Sequence, residues 1–125
     1  MGEDRFVFPF EKLEVYRLAV DLADGIFSLL DRLPANKYFR MIGQMEAAVS
    51  SVAQNIAEGK GRQYKKEFVQ FLYIAEGSLF EVLALCELFT RRKLFSEGDV
   101  TRIRGMAENL ERKLRGLINT LRGHP

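Results

Sequence analysis

An all-α chain folded as an antiparallel, up-down-up-down four-helix bundle is the architecture this sequence predicts, on three observations. Apolar residues recur at helical spacing through four long segments. The three prolines, Pro9, Pro34 and Pro125, all fall outside those segments. Only a few residues join one segment to the next, which favours antiparallel neighbours. With 125 residues, 47% of them hydrophobic, residues 1–125 suit a single domain with a real core.

The first helix is expected from about Glu11 to Arg32. Leu13, Tyr16, Val20, Ala23, Phe27 and Leu30 read as its buried stripe, and Glu11, Lys12, Glu14, Asp21, Asp24 and Asp31 as its wet face. Leu33-Pro34 ends it. Ahead of it, Arg5 to Phe10 alternates weakly and is too short for a sheet of its own. Its three phenylalanines are expected to staple the start of the helix or to dock on a neighbouring subunit.

The second helix is expected over about residues 37–58, with Ile42, Met45, Val49, Val52 and Ile56 as its apolar stripe. Ala47, Ala48, Ser50, Ser51, Ala53 and Ala57 are small and admit a neighbouring backbone. Gly59 and Gly61 are expected to stop the helix by adopting left-handed conformations. Asn55 and Glu58 lie three apart on its last turns. An acid at a helix C-terminus opposes the macrodipole. Glu58 is therefore expected to reach across the turn, to free N–H groups of the third helix or to Arg62 or Lys65.

The third helix, about residues 63–92, breaks the amphipathic rule. Phe68, Leu72, Ala75, Leu79, Val82, Cys86 and Phe89 suffice to fill a core, yet Val69, Tyr73, Phe80, Leu85 and Leu88 lie off that stripe. Apolar surface on so many sides predicts a homo-oligomer. Val69, Tyr73, Phe80, Glu76 and Glu87 are its candidate interface residues, the two acids pairing with arginines of a neighbouring subunit. Arg91, Arg92 and Lys93 complement the dipole at the helix end. The fourth helix follows over about residues 97–121, with Ser96 as N-cap and Asp99 completing a capping box. Val100, Ile103, Ala107, Leu110, Leu114, Leu117 and Leu121 should face inward.

Several functional classes find no support. Cys86 is the lone cysteine, so no intrachain disulfide forms, and it reads as an inert core thiol. No phosphate loop, dinucleotide fingerprint or metal-ligand spacing occurs. Ser50 and Ser51 lack a base, His124 is the only histidine and is next to last, and Glu76 and Glu87 stand about three helical turns apart. The expectation is a protein that is not an enzyme and uses no cofactor. The acidic N-terminal start does not resemble a signal peptide, and no run approaches about 18 uncharged apolar residues. A cytoplasmic protein without a membrane span is expected.

The net charge of +2 is weak, but its distribution is uneven. Residues 1–50 hold six Lys/Arg against eight Asp/Glu, whereas residues 100–125 hold six against two. Lys60, Arg62, Lys65 and Lys66 make a dense basic turn beside a helix N-terminus, a combination suited to phosphate, with Tyr64 the one interleaved aromatic. Arg102, Arg104, Arg112, Lys113 and Arg115 are expected to give the fourth helix a basic outer face, interrupted by Glu108 and Glu111. A solvated surface is the competing reading of both groups.

Three stretches, FEKLEVYRLAVDLADGIF, VSSVAQNIAEGKGR and KKEFVQFLYIAEGSLFEV, resemble the four helix bundle protein family. Its first-known members are encoded in intervening sequences of 23S ribosomal RNA genes. The resemblance spans nearly the whole chain. It implies an antiparallel bundle assembled as a ring-like homopentamer, with no established activity and with RNA or DNA as the conjectured partner. The chain departs from the family pattern at Met45, Glu46 and Glu76, where basic residues are common. The expected function is thus binding of structured RNA by an oligomeric, non-enzymatic bundle. The alternative is a protein-interaction or scaffold module without nucleic-acid affinity.

Overall fold

The structure, a computed structural model, describes residues 5–123; His124 lies outside the described residues. Four helices account for most of them: α1 (Glu14–Leu30), α2 (Ala35–Lys60), α3 (Lys65–Arg91) and α4 (Glu97–Leu121). No strand occurs among the described residues. Each helix packs on two neighbours, α1 on α2 and α4, and α3 on α2 and α4, with no close backbone approach across either diagonal. One cluster of buried side chains from all four helices fills the centre.

Pro9 opens a short 3-10 turn, Pro9–Lys12, so α1 begins later than the spacing suggests. Its buried face is also rotated from the expected one. Val15, Ala19, Leu22, Ile26, Leu29 and Leu30 are buried, while Leu13, Tyr16, Ala23 and Phe27 are half-buried and Val20 is exposed. The core face lies opposite Glu14, Arg17, Asp21, Asp24 and Asp31, as the cost of desolvating charge requires.

In α2 most of the expected stripe holds: Met45, Val49, Val52 and Ile56 are fully buried, and Ile42 is half-buried. The glycine expectation does not. Gly59 lies inside the helix, which runs on through Lys60, and Gly61 has φ −80°. Neither takes a left-handed conformation. Gly59 matters for space instead. A Cβ there would stand 2.5 Å from the Cβ of Phe71 and 3.1 Å from a ring carbon of Phe68. Higher up the same seam, Ser78 donates to the Ser51 hydroxyl at 2.9 Å. Asn55 donates to the Ser51 carbonyl at 2.8 Å and to its hydroxyl at 2.9 Å, and no bond joins it to Glu58.

α3 is the only helix among the described residues long and apolar enough to cross a membrane, with a mean hydropathy of 1.5 over the relevant window. It serves here as a core helix, with Phe68, Leu72, Ala75, Leu79, Val82, Cys86 and Phe89 all buried. Burial pushes the Cys86 thiol up to about 11, so no thiolate forms near neutral pH. Two of the off-stripe residues, Val69 and Leu85, are covered within the chain, because α2 and α4 close over α3 from both sides. Ile74, Phe80 and Leu88 remain about half exposed.

The one left-handed non-glycine residue described is Lys93, at φ 62°. It ends α3 in a paired cap: the Leu94 N–H donates to the Phe89 carbonyl at 2.8 Å and the Lys93 N–H to the Thr90 carbonyl at 2.9 Å. Phe95 then packs on Phe89 with centroids 4.8 Å apart. α4 opens on the expected capping box, Ser96 accepting from the Asp99 N–H at 3.0 Å. Ile118 joins Ile103, Ala107, Leu110 and Leu114 in its buried face.

Candidate nucleic-acid interface

Lys60, Arg62, Lys65 and Lys66 are all exposed at the α2–α3 turn. Two lean on aromatic rings: Lys60 Nζ lies 5.7 Å from the Phe68 centroid and the Arg62 guanidinium 4.6 Å from that of Phe71. Glu58 bonds Arg62 at 2.9 Å, one of its expected partners. It does not cap α3, whose N-cap, Tyr64, supplies no side-chain bond. The first N–H groups of α3 therefore face outward beside Lys65 and Lys66, a positive helix end reinforced by cations.

A fifth cation joins them. Lys65, Lys66, Val69, Leu121 and Arg122 line a groove of about 380 Å³ between the start of α3 and the end of α4. Arg122 also donates to the Tyr73 hydroxyl at 2.6 Å. Sequence reasoning missed Arg122, although the short turns that bring the end of α4 beside the start of α3 were the available signal.

The fourth-helix cations do not form one basic face. Arg115 is turned toward α3 and holds Glu76 bidentately, Nε to Oε2 at 2.7 Å and Nη2 to Oε1 at 2.9 Å. Glu76 is thus buried within the chain, against the expectation of a partner on a neighbouring subunit. Glu87 likewise pairs with Arg91 on its own helix at 2.9 Å. Lys113 turns to Glu14 of α1 at 3.5 Å, and Arg112 donates to Asn109 at 3.4 Å. Among the described residues, Lys60, Lys65, Lys66 and Arg102 form no ion pair. Of the proposed interface residues, Val69 is buried, Tyr73 lies under the Arg115 guanidinium at 5.5 Å, and Phe80 is exposed.

Glu111 completes the Glu76–Arg115 group. Burial, then hydrogen bonding and charge repulsion from Glu76, push its carboxyl up to about 7, against the pull of Arg115. Its Oε1 is buried without a hydrogen-bond partner, an environment that favours the neutral carboxyl. No histidine or nucleophile adjoins this group among the described residues, and none of its members lies at the basic end.

No curated protein matches this sequence. The family described as 23S rRNA-intervening sequence protein matches residues 11–116, a span holding α1, α2, α3 and most of α4. With the matched region folded as four mutually packed helices, the chain belongs to the 23S rRNA-intervening sequence protein family.

Proposed function

We propose that this protein is a non-enzymatic, oligomeric bundle, its helices running antiparallel up-down-up-down, that holds structured RNA by its phosphates at the α2–α3 end. The helix order is supported by contacts whose numbers run in opposite senses, Glu14 with Lys113 but Arg32 with Asp99. The binding reading is carried by one observation: Lys65, Lys66 and Arg122 converge on one groove at the positive end of α3. The family takes its name from the intervening sequence of 23S rRNA, which makes RNA the first partner class to test. A ring of subunits, a pentamer by resemblance, would repeat this weak contact and multiply its affinity. A cytoplasmic setting belongs to the same proposal.

RNA held in this way dissociates as salt rises. Between about 50 and 200 mM salt the affinity should fall steeply, and K65E/K66E/R122E should bind weakly, with its salt slope reduced by about 0.7 to 0.9 per cation removed. Wild-type binding that ignores salt, or a triple variant that binds like wild type, defeats the reading. A protein-interaction module is the second reading, favoured by Ile74, Phe80 and Leu88 exposed on α3. It predicts a partner complex that survives the same salt range, with light scattering reporting the subunit number.

A further inference from the structure

Residues two apart in extended backbone point to the same side, which aligns Phe6 with Phe8, and the 3-10 turn that follows adds Phe10 to the row. Phe6 meets Phe8 edge-on at a centroid distance of 4.9 Å. Phe8 lies nearly parallel to Phe10 at 6.1 Å, and Phe10 meets Tyr16 of α1 at 4.8 Å. Glu11 fixes the ladder from below, accepting from the Phe8 N–H at 2.7 Å and from Arg5 at 2.7 Å. The inner rungs are half-buried, but Phe6 is 71% and Phe8 54% exposed. Two aromatic rings are thus held against their neighbours with half or more of their surface in water, which core packing does not explain.

Their surroundings are cationic. Phe8, Pro9 and Phe10 form one wall of a groove of about 360 Å³, and Ala57, Glu58, Lys60, Gly61 and Arg62 form the other. The single carboxylate in that wall is already matched by Arg62 at 2.9 Å. An apolar peptide would use the rings and leave the excess positive charge of Lys60 unanswered. A nucleotide uses both, because its base has a π-face to stack and its phosphate an anion to pair.

We infer that this groove binds unpaired nucleotides of RNA, a base stacking on Phe8 in its wall or on the adjoining Phe6 just outside it, while the phosphates meet Lys60 and Arg62. The inference rests on the RNA reading above and narrows it. Phosphate contacts alone accept duplex and single strand alike, whereas rings require bases whose faces are not already stacked in a helix, as in loops and bulges. Glu58 faces the same groove and opposes the phosphates, so E58Q should bind somewhat tighter.

The test uses the full chain with a single-stranded RNA of about 12 nucleotides containing 2-aminopurine, and a duplex of equal length. Wild type should prefer the single strand and alter the 2-aminopurine fluorescence. F6A/F8A should lose about tenfold or more in affinity for the single strand, keep its affinity for the duplex, and keep the salt slope, since no charge is removed. F8W should restore binding, and circular dichroism should find all variants folded, because both rings are exposed. If F6A/F8A binds the single strand like wild type while K65E/K66E/R122E does not, the stacking site is wrong and the phosphate reading stands. If F6A/F8A lowers the molar mass instead, the rings are a subunit contact and the inference is overturned. If wild type shows no salt-sensitive binding to either RNA, both readings fall.

Discussion

At the scale of single residues, Gly59 and Gly61 separate two reasons for a glycine that look alike in a sequence. A methyl group at Gly59 would stand 2.5 Å from Phe71 Cβ, an atom anchored to the α3 backbone, so the helices must part. Overpacking of this kind costs about 1–3 kcal/mol, set against about 1 kcal/mol gained in helix propensity. Gly59→Ala is therefore expected to destabilise by up to about 2 kcal/mol in urea unfolding. At Gly61 the same methyl meets only the Glu58 carbonyl oxygen, at 3.5 Å, so Gly61→Ala should be neutral or mildly stabilising. Equal losses at the two positions would refute the distinction. Asn55 and Glu58 part company in the same way: one ties off Ser51 and the other neutralises Arg62.

Among the elements, the helices differ in how their buried face could be read. The stripe of α2 was readable because Met45, Val49 and Val52 recur without close apolar competitors, whereas α3 carries apolar residues on several sides and buries Val69 and Leu85 beside the expected Leu72 and Leu79. In α1 apolar residues occupy two adjoining stripes, and spacing alone does not separate Val20 with Phe27 from Leu22 with Ile26. The position of the acids decides between them, since the core lies opposite Asp21 and Asp24. Tertiary partners were not readable at all: whether Arg115 faces water or Glu76 depends on which way α4 is turned, and periodicity fixes that only to within a residue. The basic turn was legible as a cluster of cations, and its extension to Arg122 was not. The end of α3 was read as a dipole effect, whereas the structure places Lys93 in a left-handed conformation that costs a non-glycine residue about 1–2 kcal/mol. Allowing for the extra freedom of glycine in the unfolded chain, Lys93→Gly should stabilise by about 0.5–1 kcal/mol, seen as a higher urea midpoint with unchanged slope. A lower midpoint would mean that the lysine side chain contributes more than the strain removes.

For the molecule as a whole, the Glu76–Glu111–Arg115 group sets how stability responds to pH. The folded state holds the Glu111 proton up to about pH 7, whereas the unfolded chain releases it near its ordinary value of about 4.5. Between those limits the native state binds more protons, so stability falls as pH rises through that window and levels off above it. Asp99 acts in the opposite sense and elsewhere. Its bond to Ser96, with Arg32 nearby, holds it below the ordinary carboxylate range, so its contribution is lost only in more acid solution. Wild type should melt at a lower temperature at about pH 8 than at about pH 5, and Glu111→Gln, which can still donate to Glu76, should abolish the difference. Equal wild-type melting temperatures at the two pH values would rule out a Glu111 proton held to about pH 7. The same molecular scale holds the exposed Ile74, Phe80 and Leu88, which lie outside this group and leave α3 with apolar surface to spare.

The serine bridge between α2 and α3 has a mechanical consequence. Sliding one helix past the other by a single turn would carry Ser78 about 5.4 Å from Ser51 and break their bond, leaving Ser51 held by Asn55 of its own helix. The bond therefore favours one register of the seam over its neighbours.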